Sequence, residues 1–410
     1  MKQYVIVGNG TAAVGCIEGI RSIDKSGEIT VISKEKHPVY SRPLISYYLE
    51  GKTDLEKMKY RGNSFYRDNN CKVLYGAIAA SLNKENKTVL LENGKAVAFD
   101  ALCVAAGSAP FIPPFEGLDT VKDKFSFMTL DDMLALESVI SKESRVLIIG
   151  AGLIGLKCAE GIHNRVKSIT VCDLADRVLS SILDIDCAAT VQKHLEENGI
   201  EFMLSDTAVR FDKNTAYMKS GKTVEFDILV LAVGVRANAS LIKNAGGSVN
   251  RGIIVNEKME TDINGVFAAG DCAEGYDSST GTNRVLAILP NAYIGGYTAG
   301  VNMAGGEKAF NNAIPMNSIG FFGYHIMTAG NYDGEMIEEK DGASLKRFFV
   351  KDNRLIGFIL LGATDRAGIY TSLIREKTPL DTIDFELTKK AATNMIYKKE
   401  IRRKNFGGVV

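Results

Sequence analysis

The sequence predicts an α/β fold: two Rossmann-like βαβ domains built to one plan, followed by a small α+β C-terminal domain. Three features carry that reading. A strand-turn-helix segment rich in glycine occurs twice, each copy is closed by a later strand ending in glycine, and the pattern changes to short strands and turns from residue 315 onward. Internal repetition of this kind constrains architecture more than local propensity does.

The first copy is Tyr4-Val5-Ile6-Val7-Gly8-Asn9-Gly10-Thr11-Ala12-Ala13, and the second is Val146-Leu147-Ile148-Ile149-Gly150-Ala151-Gly152-Leu153-Ile154-Gly155. Each is followed by a second predicted strand, at 28–33 and 168–173, and each unit closes on an apolar strand ending in glycine, at 101–107 and 228–234. The first glycine of each motif (Gly8, Gly150) makes a tight turn. The second (Gly10, Gly152) removes a Cβ that would collide with a phosphate, and the small third residue (Ala13, Gly155) lets helix and strand lie close. Amides at the helix start, around Thr11, Ala12, Ala13, Leu153 and Ile154, then face a pyrophosphate together with the helix dipole. One such motif is a weak sign. Two copies, each opening a βαβ unit, imply two dinucleotide sites.

The residue ending the second strand selects the nucleotide. In the second unit it is Asp173, about 20 residues beyond the glycines, where a carboxylate accepts from the adenosine ribose hydroxyls. The first cation after it is Arg177, too far along to favour a 2′-phosphate, so NAD(H) is expected over NADP(H). In the first unit the equivalent position is Ser33, with Glu35 two residues on. Either could hold a ribose, and Glu35 is favoured. A later strand, 265–271, ends in Gly270-Asp271 and belongs by its motif to the first unit. The expected domains are therefore 1–112 with 238–312, an inserted 113–237, and 313–410 as the C-terminal domain with a basic tail. Within that last domain, turns are expected at Asp333-Gly334, Asp341-Gly342 and Asp352-Asn353, and a helix at 365–375.

Composition narrows the classes. The 410 residues exceed one ordinary core and suit two or three domains, with 40 glycines against 8 prolines. Lys plus Arg equals Asp plus Glu at 49 each, so no global charge points to nucleic acid. No run approaches the ~20 apolar residues of a membrane span. The strand beginning at Tyr4 leaves no room for a signal peptide, and the chain is expected to be cytoplasmic. The 7 cysteines have no C-x-x-C spacing, and the 4 histidines (His37, His163, His194, His325) show no ligand spacing, so no metal site is expected.

Taken in order, Gly8-x-Gly10, Tyr40-Ser41-Arg42-Pro43-Leu44, Ala105-Ala106-Gly107-Ser108-Ala109-Pro110, the second glycine motif and the run 261–271 resemble the FAD-dependent pyridine nucleotide-disulfide oxidoreductase superfamily. The likeness is to its NADH:rubredoxin and ferredoxin reductase branch and covers roughly residues 1–370. The stretch 315–323 is similar to the small C-terminal domain of rubredoxin and nitrite reductase flavoproteins. The resemblance implies FAD on the first unit, NAD(H) on the second and hydride transfer between them. It places Arg42 and Pro43 against the FAD pyrophosphate and flavin, with Ala79, Ala105, Ala106, Gly107, Gly270 and Asp271 among the FAD contacts. It puts Pro290-Asn291-Ala292 at the flavin's pyrimidine edge, Val233 and Gly234 beside the nicotinamide, and Phe321 and Phe322 near the isoalloxazine.

Three departures from the family pattern shape the chemistry. The redox cysteines of the disulfide reductases are replaced by the run 41–46, which has none, so a thiol relay is not expected. The family's lysine of a flavin-side Lys–Glu pair is Tyr47 here, and its glutamate is Lys157. Lys157 then either tunes the flavin or pairs with Glu160 one helical turn on. Ala106 stands where threonine is usual. The candidates for catalytic side chains are thus Lys157, Tyr47 and Phe322. The expected function is an NADH oxidoreductase passing electrons to a small acidic carrier of rubredoxin or ferredoxin type. A basic run (Lys389, Lys390, Lys398, Lys399, Arg402, Arg403, Lys404) would offer the carrier a docking face. The alternatives are an NADH oxidase reducing oxygen to peroxide, or the flavin subunit of a larger iron–sulfur complex; a homodimer is possible.

Overall fold

Gln3–Val7 is the middle strand of a five-stranded sheet in the computed structural model, which describes residues 1–342, 344–390 and 393. The sheet order is Val266–Ala268, Ala101–Val104, Gln3–Val7, Glu28–Ser33, Cys71–Tyr75, and every pairing is parallel. Tyr4, Val5, Ile6, Leu102, Cys103 and Val104 are all buried, as expected of strands covered on both faces. The late strand Val266–Ala268 lies beside Ala101–Val104, so a segment distant in sequence completes the first sheet.

This sheet belongs to the first of two compact units, Met1–Lys34 with Asn69–Ala106 and Ala239–Val410. Its helices Thr11–Ile23 and Leu289–Met303 press backbone against backbone. A Cβ on Gly15 would lie 2.2 Å from the Tyr293 carbonyl oxygen, and one on Gly296 would lie 2.0 Å from that of Ala12. The same unit holds an antiparallel five-stranded sheet ordered Met316–Phe321, Tyr324–Gly330, Arg354–Leu361, Ser344–Lys351, Glu335–Asp341. The helix Ala367–Arg375 covers it through Tyr370 and Leu373, which pack on Phe348 and Phe358. Asp352 and Asn353 form a two-residue turn with φ of 50° and 58°. Asp333-Gly334 is not a hairpin turn, because the strands it joins lie apart in the sheet.

The second unit is Glu35–Asp68 with Gly107–Asn238. Its parallel sheet is ordered Ile200–Leu204, Ser168–Asp173, Arg145–Ile149, Ile228–Leu231, Lys124–Phe125. The segment Glu35–Asp68 sits with this unit because its helix Leu44–Leu49 packs on Leu153–Ile162, where Gly161 leaves only 3.0 Å between a would-be Cβ and the Ser46 carbonyl oxygen.

Candidate functional site

The two glycine turns are built alike. The Gly8 N–H donates to Ile32 (2.8 Å), and the Gly150 N–H donates to Cys172 (2.7 Å). Both glycines have positive φ, 112° and 117°, and a Cβ would strike a carbonyl oxygen of the closing strand: Ala105 at 2.1 Å, Ala232 at 2.3 Å. Only glycine fits there, for reasons internal to the fold. The helices Thr11–Ile23 and Leu153–Ile162 start directly afterwards, with Gly10 and Gly152 as N-caps that lack a capping side chain.

Gly10 and Gly152 have a different reason to be glycine. Their φ values, −103° and −84°, suit any residue. A Cβ at either would meet nothing within 4 Å. Nothing within the protein requires glycine at these two positions. With the first amides of a helix behind it, each open position is a cradle that a pyrophosphate would fit. The third positions differ: Ala13 is accommodated fully buried, whereas a Cβ at Gly155 would fall 2.0 Å from the Gly150 carbonyl oxygen.

At the far side of the first unit's cradle, Gly270 (φ 79°) stands where the starts of two helices meet: its would-be Cβ is 3.0 Å from Ala12 and 3.7 Å from Ala292. Pro290 occupies the first turn of Leu289–Met303, and Asn291 is buried behind it. The Asn291 amide donates to Ile314 (3.0 Å), while its Oδ1 is buried with no partner among the described residues. A buried acceptor left without a donor is costly, and a ring N–H of a flavin would satisfy it. FAD therefore fits the residues present. Ala105 is buried, Ala106 and Asp271 are half-buried, and Ala79 begins a strand of the small antiparallel sheet.

In the second unit the Asp173 carboxylate accepts from the Ala151 N–H (2.7 Å) and the Ala175 N–H (2.8 Å). It is held at the strand end, level with the glycine turn. Gly234 (φ 113°) has open space where a Cβ would be, and its carbonyl receives the Phe111 N–H (2.9 Å); Val233 is half-buried beside it. Lys157 forms an ion pair with Glu160, and its ammonium lies 4.5 Å from the centre of the Tyr47 ring. The pairing of Lys157 with Glu160 along the helix face is thus present. Glu50, with its side chain only 4% exposed, adds a second acid here, paired with Lys52. Glu50 and Lys52 were not singled out from the sequence.

Glu35, Arg42 and Pro43 also lie in the second unit. Glu35 accepts from the Tyr40 hydroxyl (2.6 Å) and pairs with Arg42, whose other nitrogen donates to the Met128 carbonyl (3.0 Å). Phe321 is fully buried core, whereas Phe322 is half-buried at a hairpin tip with φ 49°. A bulky residue in left-handed backbone costs about 1–2 kcal/mol.

No thiol is poised to react. All seven cysteines are unbridged, and only Cys71 is not fully buried. Burial pushes its thiol up to about 12, and that of Cys172 likewise to about 12. Among the described residues no group of His, Cys, Asp or Glu could hold a metal, and no helix is long and apolar enough to cross a membrane. The basic run needs a correction: Lys389 is buried and bonded to Glu386 (2.8 Å) and Glu339 (3.6 Å), so it is not a docking cation. Lys398, Lys399, Arg402, Arg403 and Lys404 lie outside the described residues.

The family model described as pyridine nucleotide-disulphide oxidoreductase matches residues 2–295. Over 393 residues the chain is 32% identical to the NADH-dependent phenylglyoxylate dehydrogenase subunit epsilon of Aromatoleum evansii, covering 92% of each. It is 36% identical over 320 residues to an NADH oxidase of Methanocaldococcus jannaschii, covering 75% of this chain and 71% of that one. It is 26% identical over 369 residues to an NADH-rubredoxin oxidoreductase of Clostridium acetobutylicum, covering 90% and 91%. Among solved structures, a chain of the covalent putidaredoxin reductase–putidaredoxin complex superposes with a TM-score of 0.88 at 22% identity, covering 96% of this chain and 97% of that one. At that identity the likeness establishes the fold.

Proposed function

We propose, for a chain that belongs to the pyridine nucleotide-disulphide oxidoreductase family, that it passes electrons from NADH through FAD to a small iron–sulfur or rubredoxin-type carrier without a thiol relay. FAD and NAD(H) are its cofactors. The observation that carries the reading is the pair of matching cradles, one ending at the buried Ser33 and the other at the pinned Asp173. Bound FAD supplies the step the side chains cannot: it accepts a hydride and releases electrons singly.

This chain's residues bind and orient. The helix start after Gly10 holds the FAD pyrophosphate, and Asn291 offers Oδ1 to the flavin ring. The helix start after Gly152 holds that of NAD(H). Asp173 accepts from the adenosine ribose, its orientation already fixed by two backbone amides. Gly234 leaves space for the nicotinamide. Lys157, Tyr47 and Phe322 are our candidates for side chains that tune the transfer; Glu160 and the Tyr47 ring hold the Lys157 ammonium in one place. Glu35, Arg42 and Pro43 remain our candidates for FAD contacts. The burial of six of the seven cysteines supports the absence of a thiol relay.

A second reading has its own support. Similarity over 92% of both chains to a subunit of an NADH-dependent dehydrogenase favours a flavin subunit of a larger redox complex. NADH consumption measured with an added iron–sulfur acceptor, and again with oxygen alone, separates the readings. Carrier-dependent turnover well above the oxygen rate supports the first. Equal rates would assign the chain to an oxidase, and negligible turnover in both would favour the complex.

A further inference from the structure

We propose that the first unit carries a separate anion site, made of residues outside the nucleotide cradle, that takes the phosphate group of a small ligand. A cleft is lined by Ser278, Ser279, Lys351, Arg354 and Lys377, with Asp352 as its one acid. Leu355 and Ile374 give it an apolar wall.

The three cations come from separate places brought together by the backbone. Lys351 ends one strand, Arg354 begins the next, and the two face each other across the two-residue turn. Lys377 follows the helix Ala367–Arg375 in left-handed backbone, φ 50°, with its N–H donating to Ile374 (3.2 Å). The pieces are tied together: Leu380 N–H donates to Asn353 (2.9 Å), and Arg354 bridges to Pro379. The charges are thus mounted on a framework rather than on a loose loop.

Little nearby cancels them. Asp277 adjoins Ser278 but is fully buried, and its carboxylate is taken by the Ser279 N–H (2.9 Å), the Ser279 hydroxyl (2.6 Å) and Arg284 (3.4 Å). Lys351 bonds Asp333 at 3.0 Å, with side chains 53% and 81% exposed, and such a pair in water holds weakly. The Ser278 hydroxyl is buried and has no partner among the described residues, while the Ser278 N–H is fixed to Ala313 (2.8 Å). A hydroxyl buried without a bond calls for an acceptor that the fold does not supply.

Phosphate matches this set. It brings up to two charges and several acceptor oxygens, enough to engage two ammonium groups, the flat fork of Arg354 and a hydroxyl together. A carboxylate has only two oxygens to offer the same donors. The apolar wall is of no use to bare phosphate, which favours an organic phosphate.

The test uses the FAD-loaded protein saturated with NAD+, so that both cradles are filled. Calorimetric titration with inorganic phosphate, and separately with AMP, is expected to show one saturable site, with AMP the tighter. The double variant Arg354→Gln, Lys377→Gln is expected to weaken both by about tenfold or more, and Ser278→Ala by less. Both cations replaced are exposed, and an unchanged melting temperature without ligand would show that the variant folds. AMP binding no tighter than phosphate assigns the site to inorganic phosphate. Absence of saturable binding, or equal affinity in the double variant, overturns the proposal.

Discussion

The turns at Gly8 and Gly150 bend the chain with almost the same backbone, yet their surroundings diverge. The first helix is clamped along its length by Leu289–Met303, glycine against backbone in both directions. The second is met by the short helix Leu44–Leu49 and carries the half-buried Lys157 and the buried Glu160. The first strand pair ends in Ser33, 1% exposed; the second ends in Asp173, held by two amides. The turn glycines are thus required by the fold itself, and in our proposal it is Gly10 and Gly152 that mark a pyrophosphate and the strand end that selects the nucleotide.

The strongest challenge to the shared backbone is Gly8→Ala or Gly150→Ala. Each adds a Cβ within 2.3 Å of a carbonyl oxygen at positive φ, and each should lose ~3 kcal/mol or more in chemical denaturation. Relaxation of either turn at a cost under ~1 kcal/mol would contradict the assigned geometry.

Gly10→Val and Gly152→Val separate the two sites, because a Cβ at either position meets nothing of the protein within 4 Å. Gly10→Val should purify folded but without FAD. Gly152→Val should keep FAD and bind NADH about a hundredfold more weakly, a change of roughly 2.7 kcal/mol. Loss of FAD from both variants would break the assignment of one nucleotide to each unit.

Asp173→Asn tests the strand end. NADH affinity should fall by about tenfold, with less discrimination against NADPH and unchanged FAD content. A smaller effect is expected from Phe322→Gly: the left-handed tip should gain up to ~1 kcal/mol in stability, and turnover should fall if the ring serves the site.

The mildest difference concerns acid. Hydrogen bonds from the Gly27 and Ser26 N–H groups hold Asp24, in the first unit, below its usual 3.8. Asp227, in the second, is lowered chiefly by the Arg145 side chain. Both carboxylates bind fewer protons folded than unfolded, so their stabilisation is complete above the usual carboxylate range and is lost as pH falls below it. Asp227→Asn should flatten that acid limb, and added salt should weaken the wild-type contribution of Asp227 more than that of Asp24.

Much of this was legible in the chain. Buried parallel strands read as continuous apolar runs, and the glycine turns fall at fixed offsets from them, so both cradles could be placed by residue. Lys157 and Glu160 are one helical turn apart, and their pairing was one of two readings from sequence. Other features depend on tertiary contact. Gly15 and Gly19, and Gly296 and Gly300, repeat at a spacing of four, which marks one helix face, but nothing local says that the two faces meet. The placement of Glu35–Asp68 with the second unit follows from a helix–helix contact invisible in either segment. Lys389 reads as part of a basic run because Glu339, one of its partners, lies on the strand Glu335–Asp341, far away in sequence.

Anaerobic titration of the FAD-loaded protein with NADH tests the central claim most directly. One equivalent of NADH should bleach the flavin absorbance, and Gly152→Val should require far more NADH for the same bleaching with its FAD still bound. Flavin that stays oxidised in excess NADH, in a protein shown to hold FAD, would contradict the account.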